Sequence, residues 1–405
     1  MKSARLSHSR LVLSGALVAA FYLMFALGIY TGLTRYVLGA NDFYSRWQGA
    51  RALLLRGENP YSDAVTREIQ MGMSGRLALP GEDQVAFAYP LYVAFPVAPF
   101  VTLPYAFAQA FWMALLMLAI VGGAIALFRL YRAPRRPAIL SMLLLSVLIF
   151  YPSVRGIFNG QVTILSFFFI AVALWAIDAQ ADVAAGILLA LATIKPQPPI
   201  LLLPIILVWA WRQGRTKIVA SALIALCILV AVAMLLVPTW LMDFLQGLHQ
   251  YAAYEPIGPP IQILGEMISP GAGFLFAVVF SLVLLGWLAR QAALTLDSAW
   301  GAFQSTIGLT AIVSTWMAGR MGTPDQVLLL IPWSQWLAVR LRRGEYGWAG
   351  GAGLILLLLP WLVFLATLRG NAEDPNIALV LPVVSLGAFV WETRRADRSL
   401  PERAR

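Results

Sequence analysis

Charge is scarce in this chain and cysteine is almost absent. Only 12% of its residues are Asp, Glu, Lys or Arg, against 60% hydrophobic ones, a balance that no soluble globule can arrange without burying nearly everything. The composition therefore implies a polytopic membrane protein. The single Cys227 lies inside an apolar run, which excludes a disulfide framework and a thiolate metal site and says nothing about redox compartment. No Asp-x-Asp pair occurs, so the metal-held diphosphate of nucleotide-sugar enzymes lacks its usual ligands. Few ionisable residues fall at mid-membrane, whereas a proton-coupled transporter needs acids or bases near the bilayer midplane. No inverted repeat is evident. The basic residues form no exposed stripe of their own, so nucleic acid is not an expected partner.

What is present is a series of apolar runs. A bilayer core of about 30 Å needs roughly 20 apolar residues per helical crossing, and twelve crossings fit the pattern: 11–33, 105–128, 137–152, 160–177, 183–195, 198–212, 218–237, 272–290, 300–318, 326–340, 348–368 and 376–391. The first follows Lys2, Arg5 and Arg10 and exceeds the roughly 7 to 15 apolar residues of a secretory signal, so a retained anchor helix is expected. With the N-terminus inside, the basic connections RLYRAPRR, WRQGRTK and RLRRGEYG and the tail ETRRADRSLPERAR all fall on the cytoplasmic side, as the positive-inside rule requires. The net charge of +10 then sits largely in flanks that meet anionic lipid headgroups. The expectation is one transmembrane domain over 1–405 ending in a cytoplasmic basic tail at 392–405.

Two loops, 34–104 and 238–271, are too long to be simple connections, and both face outward in this topology. In the first, Phe43, Trp47, Ala50 and Leu54 recur at helical spacing with Ser45, Gln48 and Arg51 turned elsewhere, the pattern of an interfacial helix. Trp240, Leu241, Phe244, Leu245 and Leu248 repeat the device in the second loop. The four prolines of YPLYVAFPVAPFVTLP, residues 89–104, predict a broken or re-entrant segment rather than a span. A similar break is expected at IKPQPP, residues 194–199. Asp42, Arg155, Asn159, Gln161, Lys195, Arg320 and Asp325 all fall at or near the outer boundary.

The early NDFYSRWQGARALLLRGENPY, the proline-broken YPLYVAFPVAPFVTLP, NGQVTIL at 159–165 and AGILLALATIKPQPP at 185–199 come in an order that resembles glycosyltransferase family 87, the polyprenol-phosphate-mannose-dependent enzymes of the C-type membrane fold. GTPDQVLLLIPW at 322–333 is similar to that family's outer proline-containing segment but lacks the histidine or aromatic residues often found there. The resemblance implies an all-α polytopic fold of about twelve transmembrane helices with interfacial helices on the outer face. It implies transfer of a hexose, mannose first, from a polyprenyl-phosphate donor to an acceptor hydroxyl on a glycolipid or glycan at the extracytoplasmic face, with no metal and no cofactor.

For each candidate residue two readings stand side by side. Asn41 or Asp42 caps the helix that follows, worth about 1 kcal/mol, or Asp42 is the base that takes the acceptor proton; the resemblance implies the base, and the roles are compatible. Lys195 binds the lipid phosphate or snorkels to the interface. Arg155 and Arg320 share the phosphate or merely flank spans. Asn159 and Gln161 bind sugar hydroxyls or satisfy an exposed helix start. Tyr89 stacks on a sugar ring or anchors at the interface. Glu58, Asp63 and Glu68 are metal ligands with Asp42 or solvated loop acids, and the resemblance favours the second. A transporter or flippase for a lipid-linked sugar is the alternative of another class, and an envelope-assembly scaffold a third.

Overall fold

The computed structural model describes residues 8–79, 81–254, 258–317, 322–369 and 373–398, so Arg320 and Glu255, with the chain ends beyond these limits, lie outside the described residues. Helix α1 (His8–Ile29) runs on through a π-helical turn to Thr34. The first long loop carries α2 (Asn41–Arg56), α3 (Asp63–Ser74) and a winding segment of 3-10 turns around the single α turn α4 (Ala94–Val97). There follow α5 (Tyr105–Leu130), α6 (Pro137–Ile149), α7 (Tyr151–Asn159), α8 (Thr163–Asp178), α9 (Asp182–Leu191), α10 (Leu202–Arg212) and α11 (Thr216–Leu236). The second long loop carries α12 (Trp240–Tyr254) and α13 (Pro260–Ile268). The chain continues with α14 (Gly273–Thr295), α15 (Trp300–Met317), a 3-10 segment Thr323–Leu329, α16 (Leu330–Arg342), α17 (Tyr346–Thr367) and α18 (Ile377–Arg398). No β-strand occurs among the described residues.

Each of the twelve apolar runs is predominantly helical, with differences that trace to proline and to length. Residues 137–152 do not form one helix: α6 stops at Ile149, Phe150 is extended at φ −57°, ψ 127°, and α7 restarts with Pro152 in its first turn. Pro152 has no N–H to bond the Leu148 carbonyl and its ring crowds that preceding turn, so the ladder of α6 cannot run on through it, and the axis bends by 53°. Gly15–Thr34, Tyr105–Leu130, Thr216–Leu236, Gly273–Thr295 and Tyr346–Thr367 are long and apolar enough to cross a membrane. Counting the bent pair α6–α7 as one span gives up to six among the described residues. Apolar helices such as α8 and α10 have 16 and 11 residues, shorter than a perpendicular crossing at 1.5 Å per residue.

Burial separates central from peripheral helices. The apolar window of α5 is 61% buried, against 6% for α1 and 17% for each of α11, α14 and α17. Phe21, Met24, Leu235, Leu282, Leu362 and similar residues of the peripheral helices are exposed, which in water would be a liability and in lipid is the expected surface. Trp112 on α5 and Trp316 on α15 are fully buried.

The bundle has two chemically distinct ends. At one, Arg342 donates to the carbonyls of Tyr131 and Arg132, Arg215 pairs with Asp182 and Arg212 with Asp297 at 2.8 Å, so the basic connections gather together. The other end holds α2, α7 and the long loops. Helix α5 joins the two, with Tyr105 donating to the carbonyls of Gly39 and Ala40 at 2.6 and 3.0 Å and Leu130 beside the arginines.

The interfacial helices are more buried by protein than their sequence pattern implies. Phe43, Trp47 and Ala50 of the expected apolar face are buried while Leu54 is exposed, and Ser45 and Arg46 are buried as well, with the Tyr89 ring against Arg46. On α12 Trp240 and Phe244 are buried while Leu241 and Leu245 are exposed. Asp243 there accepts a hydrogen bond from Asn59 at 2.8 Å, which ties the two long loops together.

Candidate active site

A polar cavity of about 400 Å³ lies at the loop end of the bundle. Stretches distant in sequence build it, among them the start of α2, residues 83–89, the end of α7 with the turn after it, Lys195 beyond α9, the start of the 3-10 segment at Thr323, and the chain entering α18. Asp42, Tyr89, Arg155, Asn159, Gln161 and Lys195 all line it. The sequence-predicted residues that are described thus converge on one space, although Asp42 and Lys195 are more than 150 positions apart.

Local backbone explains the convergence. Asn41 begins α2 and Ala40 is its cap residue, in left-handed conformation at φ 55° with no side-chain capping bond. The expectation that Asn41 or Asp42 caps this helix is therefore corrected. The two hydrogen bonds from Tyr105 stabilise the Ala40 turn, and the Asp42 carboxylate is released to point elsewhere. Helix α7 ends at Gly160 with φ +71°, where a Cβ would stand 2.5 Å from the Cβ of Phe43. Only glycine takes that backbone freely and permits that approach. Trp112 donates to the Gly160 carbonyl at 3.0 Å and stacks on Phe43 at 4.7 Å between ring centres, so α5 locks the two helix ends together.

Across this junction Gln161 Nε2 donates to Asp42 Oδ2 at 2.5 Å, while its Oε1 accepts from Lys195 Nζ at 3.1 Å and from the Tyr89 hydroxyl at 3.4 Å. The amide has one possible orientation here. An ammonium can only donate and a carboxylate can only accept, so Oε1 must face Lys195 and Nε2 must face Asp42. Lys195 also donates to Thr163 Oγ1 at 2.7 Å and to Asp325 Oδ1 at 2.5 Å, which occupies its three N–H groups. Thr163 donates to the same Asp325 oxygen. A continuous polar chain thus runs Asp42–Gln161–Lys195–Asp325, with Lys195 and Asp325 only 5% and 3% exposed.

Arg155 pairs with Glu373 at 2.5 Å, and Thr323 donates to the other Glu373 oxygen at 2.7 Å, fixing the strand of chain before α18 as a wall of the cavity. Asn159 lines the cavity from the last position of α7. At the exposed rim, partial burial pushes the Asp83 carboxyl above its ordinary range, and the Asp42 charge adds to the effect. The Asp83 carboxylate accepts from the Val85 N–H at 2.9 Å, which holds Val85 in a left-handed conformation at φ 42° that β-branched residues rarely adopt.

Three participants had no assigned role from sequence. Arg46 is visible in NDFYSRW as the residue one turn beyond Asp42, on the same helix face. Asp325 and Glu373 carry no local signal, because their partners are 130 and 218 positions away. The other loop acids are elsewhere: Glu58 and Glu68 both pair with Arg56 at 2.7 Å and do not line the cavity. His249 on α12 is exposed. Among the described residues no three His, Cys, Asp or Glu side chains stand in a metal-binding group.

Fold and cavity together define a class: an all-helical membrane protein whose loop end closes around a polar cavity lined by Asp42 and further carboxylates together with Arg46, Arg155 and Lys195. A family model for glycosyltransferase family 87 matches residues 87–317, more than half of the chain. The chain belongs to that family and is a membrane glycosyltransferase. No curated protein and no solved structure matches it.

Proposed function

We propose that this protein transfers a hexose, mannose in the first instance, from a polyprenyl-phosphate donor to the hydroxyl of a glycolipid or glycan on the extracytoplasmic face. The observation that carries the reading is the meeting of Asp42 with Lys195 and Arg155 in one polar cavity. In the transfer, Asp42 takes the proton of the attacking hydroxyl, the new bond forms from that oxygen to the anomeric carbon, and the bond from that carbon to the phosphate oxygen breaks. A positioned carboxylate suffices as base, because the proton moves late and geometry governs its effectiveness. The hydrogen bond from Gln161 orients Asp42 and leaves Oδ1 for the acceptor. Lys195 and Arg155 place positive charge where the leaving phosphate develops its second negative charge. Asn159 and Gln161 offer amide groups to sugar hydroxyls, and Tyr89 a ring face.

The donor's apolar chain requires a groove. Between α6, α16 and α17 lies an apolar cavity of about 460 Å³ that includes Leu143, Val147, Leu341 and Leu357 and reaches Phe150. Phe150 is the hinge before α7, the helix that brings Arg155 and Asn159 into the polar cavity, and we assign the donor's chain to this groove. The two ends of the bundle support the orientation: the clustered arginines read as cytoplasmic by the positive-inside rule, which puts the cavity on the opposite face and both termini inside. Twelve crossings in a C-type arrangement follow if the short helices cross as paired elements or where the bilayer thins around them.

Membranes containing the protein, supplied with polyprenyl-phosphate-mannose and a crude lipid extract, are expected to consume the donor and release polyprenyl phosphate. Translocation of the donor across sealed vesicles without cleavage would instead identify a flippase.

A further inference from the structure

Of the three described cations lining the polar cavity, two hold a carboxylate tightly: Lys195 pairs with Asp325 and Arg155 with Glu373, each at 2.5 Å. Arg46 differs. It is 4% exposed, its nearest carboxylate oxygen is that of Asp42 at 3.6 Å, and its Nε and Nη1 are buried without a hydrogen-bond partner. Its guanidinium lies over the Tyr89 ring at 3.8 Å from the centroid. A guanidinium kept from water without acceptors for its N–H groups is costly, and here it stands at the wall of a cavity open to ligand. The planar fork of arginine matches two oxygens of a phosphate, whereas a lysine whose three N–H groups are already taken has none to give.

We propose that Arg46 is the residue that directly grips the phosphoryl oxygens of the lipid-phosphate donor, held flat for that contact by Tyr89. Lys195 then contributes its charge without touching the phosphate and positions Gln161. This assignment rests on the glycosyl-transfer reading above and deepens it. In the free protein Nε and Nη1 of Arg46 lack acceptors; the donor phosphate supplies one, and the contact strengthens as the sugar departs and phosphate charge rises. Arg46 Nη1 also faces Asp42 Oδ1 at 3.6 Å, so base and phosphate site stand beside one arginine.

The test compares binding of decaprenyl phosphate with that of uncharged decaprenol to the full chain in detergent, by titration. The wild-type protein is expected to prefer the phosphate, and Arg46→Gln to lose about 10- to 100-fold of that preference, the range for a lost charge-assisted contact. Arg46→Lys keeps the charge beside Asp42 and Tyr89 and so guards against misfolding; it is expected to lose the preference by several-fold, because a point charge cannot form the two-pronged contact. A wild-type preference that persists undiminished in Arg46→Gln, or in Arg46→Lys should the first variant fail to fold, overturns the assignment while leaving the donor reading intact. Absence of any phosphate preference in the wild-type protein overturns both.

Discussion

The Lys195–Asp325 pair offers the sharpest physical test of how the cavity is held. Both side chains are nearly inaccessible, at 6% and 4% relative exposure, and together with Thr163 and Gln161 they satisfy one another's hydrogen bonds. Removing one partner of such a pair strands the other as a buried charge, which costs about 3–5 kcal/mol. Replacing both by apolar groups of similar size removes the stranded charge as well as the pair, so the double change costs far less than the sum of the singles. Lys195→Met and Asp325→Leu, alone and combined, in one detergent and at one heating rate, give the comparison. Each single variant is expected to lower the apparent Tm by about 4–6 °C, taking roughly 1.2 °C per kcal/mol from an unfolding entropy of about 2.1 cal/mol/K per residue over the whole chain. The double variant should recover most of the loss. Additive losses, or a Lys195→Met protein that melts with the wild type, would refute the claim that the pair is buried and mutually satisfied.

Two other perturbations probe neighbouring parts of the site. Gly160→Ala puts a Cβ in left-handed backbone and 2.5 Å from that of Phe43, so it should cost at least about 2 kcal/mol through strain and overpacking and depress turnover further by separating Gln161 from Asp42; wild-type melting and turnover would contradict that geometry. The raised carboxyl of Asp83 means that its ionised form is disfavoured in the folded state. Its cost is therefore present above the folded value and vanishes once pH falls below the ordinary carboxylate range near about 4, where folded and unfolded forms are both protonated. Asp83→Asn, whose amide oxygen can still accept from the Val85 N–H, should raise Tm at neutral pH and match the wild type in acid; a Tm difference independent of pH would count against this origin.

Much of the helical framework was legible in the sequence because it depends on composition and local chemistry. Apolar runs have to be helical in lipid to satisfy their own backbone, and the prolines of residues 89–104 and Pro152 break the chain into short helical pieces there. The gathering of the candidate residues was legible for a different reason: Asp42, Asn159, Gln161 and Lys195 sit in motifs whose order resembles the family that the chain proves to belong to. What could not be read was pairing. Nothing near Lys195 in sequence announces Asp325, and nothing near Arg155 announces Glu373, since each contact is made only when helices far apart in the chain pack side by side. The capping role offered for Asn41 or Asp42 failed on one backbone detail. Tyr105 stabilises a left-handed Ala40, which shifts the start of α2 and leaves Asp42 free to meet Gln161.

Asp42 stands at the centre of the account, and Asp42→Asn tests it most directly. Asparagine keeps the size of the side chain and an oxygen to accept from Gln161, but it has no carboxylate to take a proton. The variant is expected to insert, to melt close to the wild type and to bind the lipid-phosphate donor, while donor consumption falls by about 100-fold or more, the scale of a lost general base. Donor consumption at the wild-type rate in that variant would contradict the assignment of Asp42 as the base.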